Sequence, residues 1–228
     1  MPRFDATWTD KTQIAPTVYQ ITLETSDPLL TFIPGQYINL EIKNKQYRTY
    51  SIAGVRHDND MTKIFLIMDI LPNGLASTFF MTNTPPIIFN CVGPAGRFEV
   101  SPSYRKKVFI ATGTGIAPII AMIDELTEEN FEDIEIIWGI RTAEFNYMSK
   151  YIDTDKIKNT ICISDDKADH SEFIGRVTDF YKSHASDYKD CDFYLCGNPN
   201  MVIEMQHLLA ENKVNEDRIF TEQFLLKK

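Results

Sequence analysis

The sequence predicts two domains in series: a small antiparallel β-barrel or sandwich over residues 1–102, then an α/β domain with a parallel, doubly wound sheet over 103–228. Two observations carry this. Through the first hundred residues, apolar side chains recur at every second position and are cut by Gly, Pro and Asn turns. Beyond Pro102 short apolar runs alternate with helical stretches, and the charge changes at the same place: 8 basic and 9 acidic residues before it, 15 and 23 after it, for a net −9.

In the first part, Thr17 to Glu24 reads as a strand with Tyr19, Ile21 and Leu23 on one face and Gln20, Thr22 and Glu24 on the other. Pro34-Gly35 is a turn, and Ile38, Leu40 and Ile42 share one face of the strand after it. Arg48-Thr49-Tyr50-Ser51 falls at the end of a strand pair. Lys63 to Ile70 alternates less cleanly, as a strand covered on both sides would. Asn73-Gly74 and Gly93-Pro94 punctuate the remainder.

In the second part, Lys107 to Ala111 is a short buried strand running into a glycine turn, with an apolar helix from about Ile116 to Leu126. Strands follow at Ile134 to Ile140 and Thr160 to Ser164, then a helix near Ile174 to Ser183 and a buried strand at Phe193 to Cys196. Asn198-Pro199 has the form of a helix start, a capping side chain followed by proline in the first turn. The helix it opens carries Val202, Met205 and Leu209 on one face, and Arg218 to Phe224 closes the chain as a strand.

Composition narrows the function. With 43% hydrophobic and 24% charged residues the chain has a globular balance. A net charge of −9 makes a poor generic nucleic-acid binder, because phosphate backbones reward clustered cations. No run approaches the roughly 18–20 apolar residues of a membrane span. Met1 to Trp8 has no apolar stretch behind a basic start, so a cytoplasmic location is expected. Cys91, Cys162, Cys191 and Cys196 match neither zinc nor iron–sulfur spacing, and His57, His170, His184 and His207 form no close set, so no metal site is expected.

Two segments carry chemistry on physical grounds. Thr112-Gly113-Thr114-Gly115-Ile116-Ala117-Pro118 joins a buried strand to a helix, where bare backbone amides and the helix dipole favour a pyrophosphate. It departs from G-x-G-x-x-G, since Pro118 stands at the third glycine, and a plain structural turn would also use these glycines. Arg48-Thr49-Tyr50-Ser51 offers a guanidinium for phosphate, a flat ring for stacking and hydroxyl donors. Either segment alone is compatible with ordinary structure.

The ordered set says more. Pro34-Gly35-Gln36-Tyr37, Arg48 to Ala53, Gly74-Leu75-Ala76-Ser77, Gly93 to Phe98, Gly113 to Pro118, Gly139-Ile140-Arg141, Tyr194 to Pro199 and Glu222-Gln223-Phe224 succeed one another along nearly the whole chain. Order and spacing resemble the ferredoxin–NADP reductase superfamily. The resemblance implies an antiparallel Greek-key flavin-binding barrel followed by a nicotinamide-nucleotide α/β domain. It further implies that Arg48, Thr49, Tyr50, Ser51, Gly74, Ala76 and Ser77 bind the flavin, with Tyr50 on the ring and Arg48 and Ser77 on the diphosphate. Gly113, Thr114, Gly115, Arg141, Asp165, Gly197 and Asn198 would bind the nucleotide, with Ser51, Cys196 and Glu222 at the reacting rings. Phe224 falls where plant-type members end in a stacking tyrosine, but Leu225-Leu226-Lys227-Lys228 follow it here.

The same resemblance implies a flavoenzyme that moves a hydride from NAD(P)H to flavin, FAD in preference to FMN. Plant-type members grip a 2′-phosphate with Ser-Arg after the strand matching Thr160 to Ser164. This chain has Ser164-Asp165-Asp166, whose carboxylates repel a phosphate and favour NADH over NADPH, with Arg141 and Lys167 as cations that could still reach a phosphate. With no clustered cysteines, the expected acceptor is separate: a ferredoxin, a flavodoxin, an oxygenase component or a small molecule. A free-flavin reductase and a non-catalytic electron-transfer subunit are the alternatives.

Overall fold

A computed structural model describes residues 1–27, 31–128, 133–165 and 173–223. Six antiparallel strands come first: β1 (Arg3–Gln13), β2 (Val18–Thr25), β3 (Tyr37–Lys43), β4 (Gln46–Asp58), β5 (Met61–Asp69) and β6 (Ile87–Ala95), with the short helix α1 (Leu75–Thr82) between the last two. They close a barrel in the order β1-β2-β5-β4-β3-β6, the Greek-key alternative rather than a sandwich. Period-two alternation lets each strand send one face inward: Trp8, Ile21, Leu23, Ile38, Leu40, Ile52, Ile64 and Leu66 fill the interior. Phe80 of α1 plugs one end, edge-on to Trp8 at 5.0 Å between ring centroids.

The rest of the chain is a parallel sheet. Its strands are β7 (Lys106–Thr112), β8 (Ile134–Ile140), β9 (Lys158–Ile163), β10 (Phe173–Ile174), β11 (Cys191–Gly197) and β12 (Ile219–Gln223). Helices α2 (Ile116–Glu128), α3 (Val177–His184) and α4 (Pro199–Glu211) cover it. The order β10-β9-β8-β7-β11-β12 reverses direction between β7 and β11. Along β7, Val108 and Ile110 face α3 and α4, while Phe109 and Ala111 face α2. The α2 side is continuous with the barrel: Ile116, Ile119, Ile120 and Met122 share one core with Ala53, Ile67 and Phe98. No helix among the described residues is long and apolar enough to cross a membrane.

Three expectations need correction. Ile174 does not begin a helix; it pairs with Ile163 as the edge strand β10, and Gly175, at φ 140°, breaks the chain before α3 begins. Arg48 to Ser51 lies inside the long strand β4 rather than at the end of a pair, facing Leu40 to Tyr37 of β3. Gly93-Pro94, expected as punctuation between strands, lies inside β6, which closes the barrel against β1.

Candidate functional site

Two glycine segments meet where the sheet order reverses. Gly113, Thr114 and Gly115 form a 3-10 turn at the end of β7, and Gly197 ends the neighbouring β11 with Asn198 just beyond it. A crevice outside the carboxyl ends of adjacent strands at such a reversal is where open α/β sheets hold ligands. The glycines are required sterically. A Cβ on Gly115 would lie 2.5 Å from the Cys196 carbonyl oxygen, and one on Gly197, at φ 130°, would lie 2.5 Å from Thr112 Oγ1. Gly113, at φ 54°, has nothing within 4 Å of its Cβ position, so its outer face is open. Thr112 Oγ1 accepts the Asn198 amide at 2.9 Å, and the Asn198 side chain caps α4 by accepting from the Asn200 amide. Pro118 sits in the first turn of α2, where the missing N–H has no intrahelical partner to lose.

A hydrogen bond joins the barrel to this crevice. Ser51, 5% exposed, donates its hydroxyl to Glu222 Oε1 at 3.3 Å. Register places Glu222 beside Cys196 across β11 and β12, so the three residues expected at the reacting rings do converge. Glu222 Oε2 is buried without a partner. Burial pushes the Glu222 carboxyl up to about 7, with the Ser51 bond pulling the other way. The Cys196 thiol is wholly buried and raised well above its ordinary value by burial and the nearby Glu222 carboxylate, so it stays a neutral apolar group rather than a nucleophile.

Along β4, Arg48 gives one guanidinium N–H to the Tyr47 carbonyl at 2.8 Å, and Thr49 donates to Asn39 Oδ1 at 2.6 Å. Tyr50 is half-buried, and burial raises its phenol, with the Arg48 charge opposing. Gly74 is the N-cap residue of α1 and offers no side-chain cap, leaving the first-turn amides to another acceptor; Ala76 is buried and Ser77 half-buried beside it. Arg141 and Asp165 are both exposed, and the Asp165 amide donates to the Arg141 carbonyl at 3.0 Å. Asp166, Lys167 and Phe224 lie outside the described residues.

These donors fit two nucleotide diphosphates. One set combines a guanidinium, hydroxyls and uncapped amides on the barrel; the other is an open glycine turn at a helix start. The orphaned Glu222 Oε2 between them fits a polar ring edge. Among the described residues no three His, Cys, Asp or Glu side chains lie close enough to hold a metal.

An oxidoreductase FAD-binding domain matches residues 5–100, and an oxidoreductase NAD-binding domain matches residues 109–207. The chain belongs to the ferredoxin–NADP reductase superfamily. It is similar to the toluate 1,2-dioxygenase electron transfer component of Pseudomonas putida, 28% identical over 206 residues that cover 86% of this chain and 59% of that protein. The chain thus spans well under two thirds of the length of that relative. Two solved structures share the superfamily fold. A cytochrome P450 reductase from Amycolatopsis superposes with a TM-score of 0.86 at 23% identity, over 98% of this chain and 70% of that one. A ferredoxin NADP+ reductase from Neisseria gonorrhoeae with bound FAD and NADP gives 0.82 at 16%, over 98% and 99%.

Sequence reasoning missed two residues beside the candidate site and read Thr112 only as the start of the glycine segment. Thr112 ties β7 to β11, Asn39 anchors Thr49, and Trp138 donates its indole N–H to the Gly113 carbonyl at 2.9 Å. Neither Asn39 nor Trp138 carries a local sequence signal.

Proposed function

We propose that the chain is a cytoplasmic NAD(P)H oxidoreductase that uses FAD and passes electrons to a separate acceptor, an oxygenase component in particular. Residues 1–102 would form the flavin unit and 103–228 the nucleotide unit. The observation that carries the reading is the convergence of Ser51 of the barrel, Glu222 and the Gly113–Gly115 and Gly197 crevice at the strand reversal. The electron-transfer and reductase character of the similar proteins, as their names state it, supports the choice of acceptor.

When bound, FAD supplies the redox chemistry, taking a hydride from NAD(P)H and releasing electrons onward. The chain's own residues bind and orient. Arg48, Thr49, Ser77 and the α1 amides behind Gly74 and Ala76 hold the flavin diphosphate, and Tyr50 supplies a flat face. Ser51 holds its hydroxyl proton against Glu222 Oε1, a carboxyl that burial keeps near neutrality and able to hold a proton itself. Gly113, Thr114, Gly115 and Asn198 receive the nucleotide pyrophosphate, and Gly197 and Cys196 give the nicotinamide a close apolar wall. Asp165 faces a ribose hydroxyl better than a 2′-phosphate, which supports NADH over NADPH, with Arg141 beside it as the opposing charge.

The test is a visible spectrum of the desalted protein, then anaerobic addition of NADH and, separately, NADPH. Flavin bands that bleach faster with NADH are expected. A colourless protein that oxidises NADH only with added flavin means a free-flavin reductase. Bound flavin that neither nucleotide bleaches means an electron-transfer subunit, and no flavin with no oxidation overturns the proposal.

A further inference from the structure

Trp138 lies in β8, wholly buried and directly opposite Ala111 of β7. Its indole N–H crosses to the Gly113 carbonyl, which also accepts the Ile116 amide at the start of α2. Both lone pairs of that oxygen are therefore taken by donors on the protein side. A trans peptide is planar, with its N–H opposed to its C=O, so pinning the Gly113 carbonyl inward turns the Thr114 N–H outward. Outward is the open side of the turn, where nothing lies near the Gly113 Cβ position.

The indole is itself held. Tyr147 packs edge-on against it at 4.8 Å and 72°, and the next ring along, Tyr151, donates to Gln20 Oε1 of the barrel at 2.9 Å. Glycine readily adopts φ 54°, where an L residue is uncommon, and the indole N–H joins the Ile116 amide in holding this peptide's carbonyl in one orientation.

We propose that Trp138 is a positioning residue for the nucleotide turn: through the Gly113 carbonyl its indole N–H aims the Thr114 amide at the pyrophosphate of the bound nucleotide. This rests on the reading of the crevice as the NAD(P)H site. Trp138→Phe keeps a ring against Tyr147 and removes only the donor and part of the volume.

The experiment titrates the purified protein by calorimetry with ADP-ribose, which carries the pyrophosphate without the nicotinamide, and with AMP, which lacks the pyrophosphate. Trp138→Phe is expected to weaken ADP-ribose about three- to ten-fold, the loss of one neutral hydrogen bond, and AMP less than about two-fold. Equal weakening of both ligands, or of neither, overturns the positioning role while leaving the nucleotide site standing. A wild-type protein that binds no ADP-ribose overturns the site reading as well. If the variant does not fold, the 15N-labelled wild-type protein decides: ADP-ribose must shift the Thr114 amide and the Trp138 indole resonances together, and an unmoved Thr114 amide sinks the proposal.

Discussion

Glu222 gives the sharpest handle on the joint between barrel and sheet. Its carboxyl moves from 4.5 to about 7 because burial penalises the charge more than the Ser51 hydroxyl compensates. A carboxyl whose folded value is raised binds its proton more tightly folded than unfolded, so its contribution is fully present below pH 4.5 and is lost as pH rises through 7. Integrated over that shift, folding stability should fall by about 2–3 kcal/mol between pH 5 and pH 8 on account of this one group. Glu222→Gln keeps the shape and the Ser51 contact but cannot ionise, so it should lack this component. Urea midpoints of both proteins at half-unit pH steps isolate the term, since every other titrating group cancels in the difference. The two stabilities should converge at pH 5 and separate toward pH 8, with Gln the more stable. A difference that stays flat across that range refutes a buried, proton-holding carboxyl at the joint.

Other perturbations test the remaining parts. Gly115→Ala drives a methyl to 2.5 Å from the Cys196 carbonyl and should cost about 1–3 kcal/mol in urea unfolding while weakening ADP-ribose, with flavin content unchanged. Arg48→Ala should weaken flavin retention by about 1.5–3 kcal/mol, read as flavin released on ultrafiltration; unchanged retention would remove Arg48 from the diphosphate site. Lys107→Met removes the buried partner of Asp192 at 2.9 Å, leaving it Arg105 at 3.7 Å and the Ser103 hydroxyl, and should cost about 1–3 kcal/mol in urea unfolding, much of it recovered in the double variant with Asp192→Leu.

Much of this was legible in the sequence because local chemistry and tertiary fold agree. Period-two alternation in β2 and β3 matches what the barrel buries, and Asn198-Pro199 caps α4 as the side chain and proline require. Where they part, a non-local partner decides. Ile174 reads as helix because it stands three residues from Val177 and six from Phe180, yet pairing with β9 and the left-handed Gly175 claim it for the sheet. Strands β1 and β6 are marked chiefly by each other, and barrel closure is invisible from either alone. At the site, glycines and hydroxyls stand out as motifs, whereas Trp138 acts on Gly113 from 25 positions away and reads only as one more apolar strand residue.

The two ends of the sheet divide the work. At the amino ends of β7, β8 and β11, Lys107 pairs with Asp192 with Ser103 joining them, and Glu135 pairs with Lys106 at 2.6 Å and Lys158 at 3.1 Å. Burial alone would raise the Glu135 carboxyl, but hydrogen bonds from Lys106, Lys158 and Tyr188 outweigh it and hold it low, so this end is charged and ion-paired. At the carboxyl ends of the same strands the side chains shrink to Thr112, Gly113, Gly139 and Gly197, and backbone groups are left to face outward. A diphosphate there adds acceptors to exposed amides without competing with any buried cation. Ion pairs brace the amino ends of adjacent strands, while at the other end the glycine turns present backbone amides, with Arg141 directly after β8. Strand direction in a parallel sheet puts these carboxyl ends on one side, the side on which Ser51 of the barrel meets Glu222 of β12.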